Sequence, residues 1–83
     1  MPLTQLNDAE RERKRCFLRI MAPFTPHTVA SIANRLTPGV NWRGCPKSHI
    51  AEAYARGEHS FKDIQGTNLV ATAKLHLQLY GIK

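Results

Sequence analysis

Apolar residues recur at helical spacing along most of the chain, in segments that proline and glycine separate. In the first segment, Phe17 and Met21 lie one helical turn apart and define an apolar face. Asn7 is a suitable N-cap, and Pro23 ends the segment because proline cannot continue a helix. The pattern predicts a helix from about Asp8 to Met21.

Basic and apolar residues occupy different faces of this first predicted helix. Arg11, Arg15 and Arg19 follow each other at intervals of four residues, opposite the apolar face. Glu10 and Arg13 interrupt the apolar face towards the N-terminus. We therefore expect the first two turns to project from the body of the protein.

The second segment has clear signals for a helix start and a helix end. Thr25 can cap the N-terminus, and Pro26 suits the first helical position, where its missing N–H costs nothing. The predicted helix runs to Leu36, and Thr37-Pro38-Gly39 ends it. Its apolar face consists of Val29, Ile32, Ala33 and Leu36. Its outward face carries His27, Thr28, Ser31, Asn34 and Arg35.

Two shorter elements follow an irregular stretch. A third helix is predicted from Cys45-Pro46 to Arg56, with Gly57 as its C-cap. Its inner face consists of Ile50, Ala53 and Tyr54. A short turn, Phe61 to Gln65, comes next, and Ser60 is its expected cap.

The last segment admits two interpretations. The stretch Leu75–Leu79 alternates leucine with polar residues, as a strand does. Over a longer window a helical face appears, formed by Leu69, Val70, Ala73, Leu77 and Tyr80. The length of the pattern favours a helix from Asn68 to Tyr80, with Thr67 as its N-cap and Gly81-Ile82 as a Schellman-type ending.

Two leucines of this last helix lie outside its core face. Leu75 and Leu79 are one turn apart and point away from Ala73 and Leu77. The first helix can cover only part of this surface, because its own apolar face is short. The pair is therefore either exposed in a monomer or a contact in a homodimer.

These elements predict a single all-α domain over residues 1–83, a small compact bundle of four to five helices. Pro26–Leu36 resembles the first helix of a helix-turn-helix, although the nine residues Thr37–Cys45 exceed the usual turn of about three or four. The pair Phe61–Gln65 and Asn68–Tyr80 has a better turn length, but its second helix would present leucines to DNA. We describe the expected fold as helix-turn-helix-like.

Charge is the strongest compositional clue to function. The 83 residues contain 12 Lys and Arg against six Asp and Glu, which gives a net charge of +6 and a sequence pI of about 9.9. A compact domain with a pI above about 9 is typical of proteins that bind nucleic acid. An acidic protein surface is the alternative target for such a charge.

The chain shows no motif for catalysis or for a cofactor. It has no glycine-rich phosphate loop, no nucleophile elbow and no paired carboxylates. Cys45 and His49 could form a nucleophile pair, but a cysteine before a proline at a helix start is common in inert proteins. The cysteines and histidines lack the short paired spacings of zinc sites. We expect no enzymatic activity, no metal and no cofactor.

The start of the chain has no apolar secretion signal, and no segment reads as a membrane span. We expect residues 1–7 to be a flexible N-terminus. Cys16 and Cys45 are too few for a secreted disulfide framework, so two reduced thiols are the simpler interpretation, with one disulfide left open. These features predict a cytoplasmic protein without a membrane partner.

The predicted binding surface joins an arginine stripe to the residues around the start of the third helix. It consists of Arg11, Arg15, Arg19, Trp42, Arg43, Lys47, Ser48 and His49. The stripe can follow phosphates, and short polar side chains at a helix start can approach backbone or bases. The alternatives are a solvated stripe relieved by Asp8 and Glu12, and a Trp42 that packs in the core instead of stacking on a base.

The main functional hypothesis is a small DNA-binding regulator that forms a homodimer. The alternative is an inhibitor or adaptor of the phage or plasmid type, which would occupy the acidic surface of a partner protein. RNA binding comes third, because no aromatic pair on a strand is visible that could stack bases.

Overall fold

Helices account for all the regular structure in the computed structural model, which describes residues 6–80. The elements are α1 (Asp8–Met21), α2 (Pro26–Leu36), α3 (Lys47–Arg56), a 3₁₀ helix (His59–Asp63) and α4 (Gly66–Tyr80). No strand occurs in the described part of the chain, which confirms the predicted all-α class. None of these helices has the length and apolarity that crossing a bilayer requires.

A capping box fixes the start of α1. The Asn7 side-chain oxygen accepts a hydrogen bond from the Glu10 amide at 2.8 Å, and the Glu10 carboxylate accepts one from the Asn7 amide at 2.9 Å. The predicted N-cap is confirmed. The expected flexible N-terminus lies outside the described residues for positions 1–5, whereas Asn7 is held by its cap.

The core is built on a chain of aromatic contacts between α1, α3 and the segments around them. Phe17 packs on Tyr54 with ring centroids 5.4 Å apart, and Tyr54 meets Phe61 edge to face at 5.7 Å. Phe61 in turn lies 5.6 Å from Trp42. The other large side chains without solvent exposure are Met21, Val29, Ile32, Ile50 and Leu69.

The second turn of α1 does not project from the body, so this expectation was wrong from Arg13 onward. Arg13 Nη2 donates to the carbonyl oxygens of Tyr54 at 3.0 Å, Phe61 at 3.2 Å and Ile64 at 3.4 Å. Its guanidinium also lies 4.1 Å from the centroid of the Tyr54 ring. A long side chain that satisfies carbonyls of α3 and of the 3₁₀ segment after it can replace an apolar residue on a packed face, because its stem packs there while its head is bonded.

The predicted bounds of α2 and most of those of α3 are confirmed. Thr25 Oγ1 accepts from the Thr28 amide at 3.2 Å and caps α2. α3 begins at Lys47, two residues after Cys45, because Pro46 takes the extended N-cap conformation. Gly57 ends α3 in the left-handed region with φ 69°, as expected for a glycine C-cap.

A short turn is present where one was predicted, but the predicted bounds, Phe61 to Gln65, and the predicted cap, Ser60, were wrong. The 3₁₀ helix begins earlier, after Glu58, and no side chain caps it. His59 adopts φ 56°, so the chain turns through a second left-handed residue soon after Gly57. This tight path brings Phe61 into the core, where its side chain has no solvent exposure.

The last segment is a helix, which confirms that interpretation over a strand. It starts at Gly66 instead of Asn68, and Thr67 is not its cap, because the Asn68 side-chain oxygen accepts from the Gln65 amide at 2.8 Å. Leu69 and Ala73 are buried against the core, whereas Val70 is exposed. The Schellman-type ending predicted at Gly81-Ile82 lies outside the described residues.

Candidate nucleic-acid interface

The carboxylates of this protein are confined to two parts of the chain. Three lie in the first half of α1 and three lie between α3 and the end of the 3₁₀ helix; they are Asp8, Glu10, Glu12, Glu52, Glu58 and Asp63. The stretch from residue 13 to residue 51 contains seven Lys and Arg and no carboxylate. The excess positive charge therefore belongs to the second half of α1, to α2 and to the loop 37–46.

Two members of the predicted arginine stripe are paired with neighbouring carboxylates. Arg11 forms an ion pair with Asp8, and Arg15 Nη1 lies 2.7 Å from Glu12 Oε2. Arg19 is exposed and has no ion pair with a described residue. Asp8 and Glu12 thus neutralise two charges of the stripe, which is the alternative that the sequence left open. Of the three arginines, Arg19 alone has no carboxylate partner among the described residues.

Lys47 has an internal role at the start of α3. Its Nζ donates to the carbonyl oxygens of Phe24 at 2.7 Å and Met21 at 3.3 Å. The side chain is half-buried and fastens α3 to the turn that follows α1. The neighbouring predicted residues Ser48 and His49 are exposed.

Trp42 belongs to the core, which is the alternative that the sequence left open. Its residue exposure is 8%, and its Nε1 donates to Thr37 Oγ1 at 2.8 Å. The Trp42 amide donates to the Asn34 side-chain oxygen, also at 2.8 Å. With its N–H satisfied and its ring against Phe61, the indole is not available to stack on a base.

A polar groove made of two adjoining clefts follows the outer face of α2, and both clefts are lined by His27, Ser31 and Asn34. Its floor consists of His27, Thr28, Ser31, Asn34 and Arg35. Asn41 and Arg43 of the loop before α3 form one wall, and His76 and Tyr80 at the end of α4 form the other. We call these nine residues the α2 groove. No carboxylate is among them.

The loop wall of the groove is held to α2 by side-chain hydrogen bonds. The bond from the Trp42 amide to Asn34 ties the loop to the floor, and the Asn41 side-chain oxygen accepts from the Arg43 amide at 3.0 Å. Arg43 is exposed and makes no ion pair with a described residue. Its guanidinium is therefore available to an anion outside the protein.

The α4 wall contains a cluster of ring and cation contacts. Arg35 Nη2 donates to the Tyr80 hydroxyl at 3.4 Å, and the rings of His76 and Tyr80 lie 4.8 Å apart. Tyr80 is 64% exposed, whereas the Nδ1 atom of His76 is buried without a hydrogen-bond partner. Burial lowers the pKa of His76, and the charge of Arg35 lowers it further, which favours the neutral imidazole.

Sequence reasoning placed the floor residues on the outward face of the second helix without assigning them to a site, and of the walls it included only Arg43 in the predicted binding surface. The outward face of the second helix followed from helical periodicity, and the carboxylate-free stretch from residue 13 to residue 51 was also readable. His76 and Tyr80 come from a segment more distant along the chain and appear as ordinary positions of a helix. Only the packing of α4 beside α2 places them next to Arg35.

The described residues contain no other centre that suggests chemistry. Within residues 6–80 no three His, Cys, Asp or Glu side chains converge in a way that could hold a metal ion. Cys16 and Cys45 are free thiols. No protein-family profile, curated protein or solved structure matches this chain.

Proposed function

We propose that this protein is a small regulator that binds DNA through the α2 groove. The observation that carries the proposal is the distribution of charge. The groove displays Arg35 and Arg43 without a carboxylate, while the carboxylates lie elsewhere and a net charge of +6 remains. Arginine binds phosphate oxygens with a planar fork of donors, so such a surface attracts a polyanion.

The uncharged residues of the groove suit the remaining contacts. Ser31 and Asn34 supply short donors and acceptors of the kind that contact sugars, phosphates and base edges. We assign a binding function without a catalytic step. A cytoplasmic location suits it, because the free thiols Cys16 and Cys45 stay reduced there.

Salt-dependent binding to labelled DNA tests the proposal. Neutralising phosphates releases counterions, so log K falls with log salt by about 0.7 to 0.9 for each contact. A variant with Arg35→Ala and Arg43→Ala should bind DNA more weakly. The slope of log K against log salt should become shallower by about 1.4 to 1.8, the share of two phosphate contacts. The matched control, Arg11→Ala with Arg15→Ala, removes the same charge from paired positions and should have the smaller effect. A folded protein that binds neither duplex nor single-stranded DNA at low salt contradicts the proposal.

A protein partner is the second candidate, and the surface of α4 favours it. Leu75 is 43% exposed and Leu79 is 56% exposed, one turn apart on the same side of the helix. α4 carries a single charged residue, Lys74, over its whole length. A second copy of this chain, or the target of an inhibitor, could cover this apolar pair.

A further inference from the structure

We propose that the α2 groove takes DNA as a single strand, with one base stacked on Tyr80 and phosphates bound by Arg35 and Arg43. This inference rests on the proposed function and adds the form of the nucleic acid. Three features of the groove support it: its shape, its exposed tyrosine and the positions of its two arginines.

The shape of the groove suits a single strand better than a duplex. A helix that reads the major groove must protrude from its protein. In α2 the residues at the middle of the outer face, Ser31 and Asn34, are half-buried and line both clefts, one of which Arg43 borders and the other Tyr80. These middle positions do not protrude as a duplex-reading helix face does, and a flexible single strand can follow the two clefts and contact Arg43 and Tyr80.

Tyr80 has the features of a stacking platform. Its residue exposure of 64% is the largest among the exposed hydrophobic side chains of the described residues. The ring is nevertheless held in place, because it packs on His76 at 4.8 Å and accepts the hydrogen bond from Arg35. Proteins that bind single strands place bases on such aromatic rings, and this stacking tolerates any base sequence.

The two arginines line different clefts, and Ser31 and Asn34, which line both, lie between them. Arg35 is beside Tyr80, and Arg43 stands on the loop wall. A strand that stacks a base on Tyr80 and crosses the floor would therefore meet a guanidinium at each side. The charge pattern fits a phosphodiester chain with bases between its phosphates, and it leaves the uncharged Ser31 and Asn34 for sugar and base contacts.

The experiment measures equilibrium binding of the full chain to three labelled probes of about ten nucleotides, within the usual site size. The probes are an oligothymidylate, its duplex with oligoadenylate, and an oligouridylate. We expect the oligothymidylate to bind at least about tenfold more tightly than the duplex. Tyr80→Ala should weaken its binding by about 5- to 150-fold, which is the range for the loss of one stacked base.

Two variants separate stacking from other effects. Tyr80→Phe keeps the ring and removes only the hydroxyl that Arg35 bonds, so it should lose clearly less affinity than Tyr80→Ala. Gln78→Ala changes an exposed residue on the opposite side of α4 and should have no effect. Circular dichroism checks that the variants are folded. Because Tyr80 is exposed, its substitution should leave the helix content unchanged.

The possible results distinguish this inference from the proposed function. Equal binding of strand and duplex, or an unchanged affinity of Tyr80→Ala for the strand, overturns the single-strand inference and leaves DNA binding standing. Tighter binding of the oligouridylate assigns the groove to RNA and overturns both. A folded protein that binds none of the probes also overturns both.

Discussion

Trp42 and Thr37 form a buried hydrogen-bonded pair that fixes the loop after α2. The indole Nε1 of Trp42 donates to Thr37 Oγ1 at 2.8 Å, and the Thr37 hydroxyl donates to the Ala33 carbonyl, also at 2.8 Å. Thr37 has no solvent exposure. The pair anchors the wall that carries Arg43, so the shape of the α2 groove depends on a contact inside the core.

Thr37→Val should destabilise the protein by about 1–3 kcal/mol, because it leaves the buried indole N–H without an acceptor. Thr37→Ser keeps the hydroxyl and should lose less, since only one methyl group is removed. Urea unfolding followed by circular dichroism gives both values. Equal losses in the two variants would show that the hydroxyl does not contribute.

Arg13→Met should destabilise the protein by about 2–4 kcal/mol, because three carbonyl oxygens and the Tyr54 ring lose their cationic partner. The control is Arg15→Met on the same helix, where the side chain is 64% exposed and bonded to Glu12. An exposed pair of this kind is worth about 1 kcal/mol or less. Chemical unfolding of both variants is the measurement, and similar losses would contradict the role of Arg13 as an anchor.

His76 should make the stability depend on pH below its ordinary pKa of 6.5. Burial, and then the charge of Arg35, lowers the pKa of His76 in the folded state, so the unfolded state binds more protons in this range. The contribution of His76 to the free energy of unfolding is complete above pH 6.5. It decreases as the pH falls towards the pKa that His76 has in the folded protein. His76→Gln should remove this part of the slope. The charged or titratable groups around it are Arg35, His27 and Tyr80.

The measurement is the free energy of unfolding of wild type and His76→Gln between about pH 7.5 and about pH 5. The two curves should converge or cross as the pH decreases, because only the wild type loses this contribution. Curves that stay parallel throughout would contradict a lowered pKa of His76.

Leu75→Glu with Leu79→Glu should convert a dimer into a folded monomer, if a second copy covers this pair. Both leucines are partly exposed, so the double variant should keep its fold and its helix content. Sedimentation at micromolar concentration reports the oligomeric state of both proteins. A wild-type chain that stays monomeric over the concentration range removes the homodimer hypothesis.

Local signals explain why the helices could be predicted from the sequence. Asn7, Thr25 and Gly57 act within one turn of their own helices, so their effect does not depend on the rest of the fold. The segment after Gly57 could not be predicted in the same way. Its path uses a left-handed backbone conformation at His59, a position without the glycine that usually indicates such a turn. That path is fixed by the burial of Phe61 in the core.

The binding surface was harder to predict, because it depends on side-chain partners. Periodicity placed Arg11 and Arg15 on an outer face but could not show that both bind neighbouring carboxylates. It likewise could not show that Lys47 reaches back to the carbonyl of Phe24. The α4 wall of the groove needs the tertiary packing of α4 beside α2, which no local pattern encodes.

The most direct test of DNA binding through the α2 groove is a chemical-shift map of the ¹⁵N-labelled protein during titration with DNA. We expect the amide signals that move most to come from residues 27–35, 41–44 and 76–80. Signals from the first turns of α1, including Arg11 and Arg15, should stay nearly unchanged. A map centred on residues 8–15 or on Ser48 and His49, or a spectrum that DNA does not change at low salt, would contradict the account.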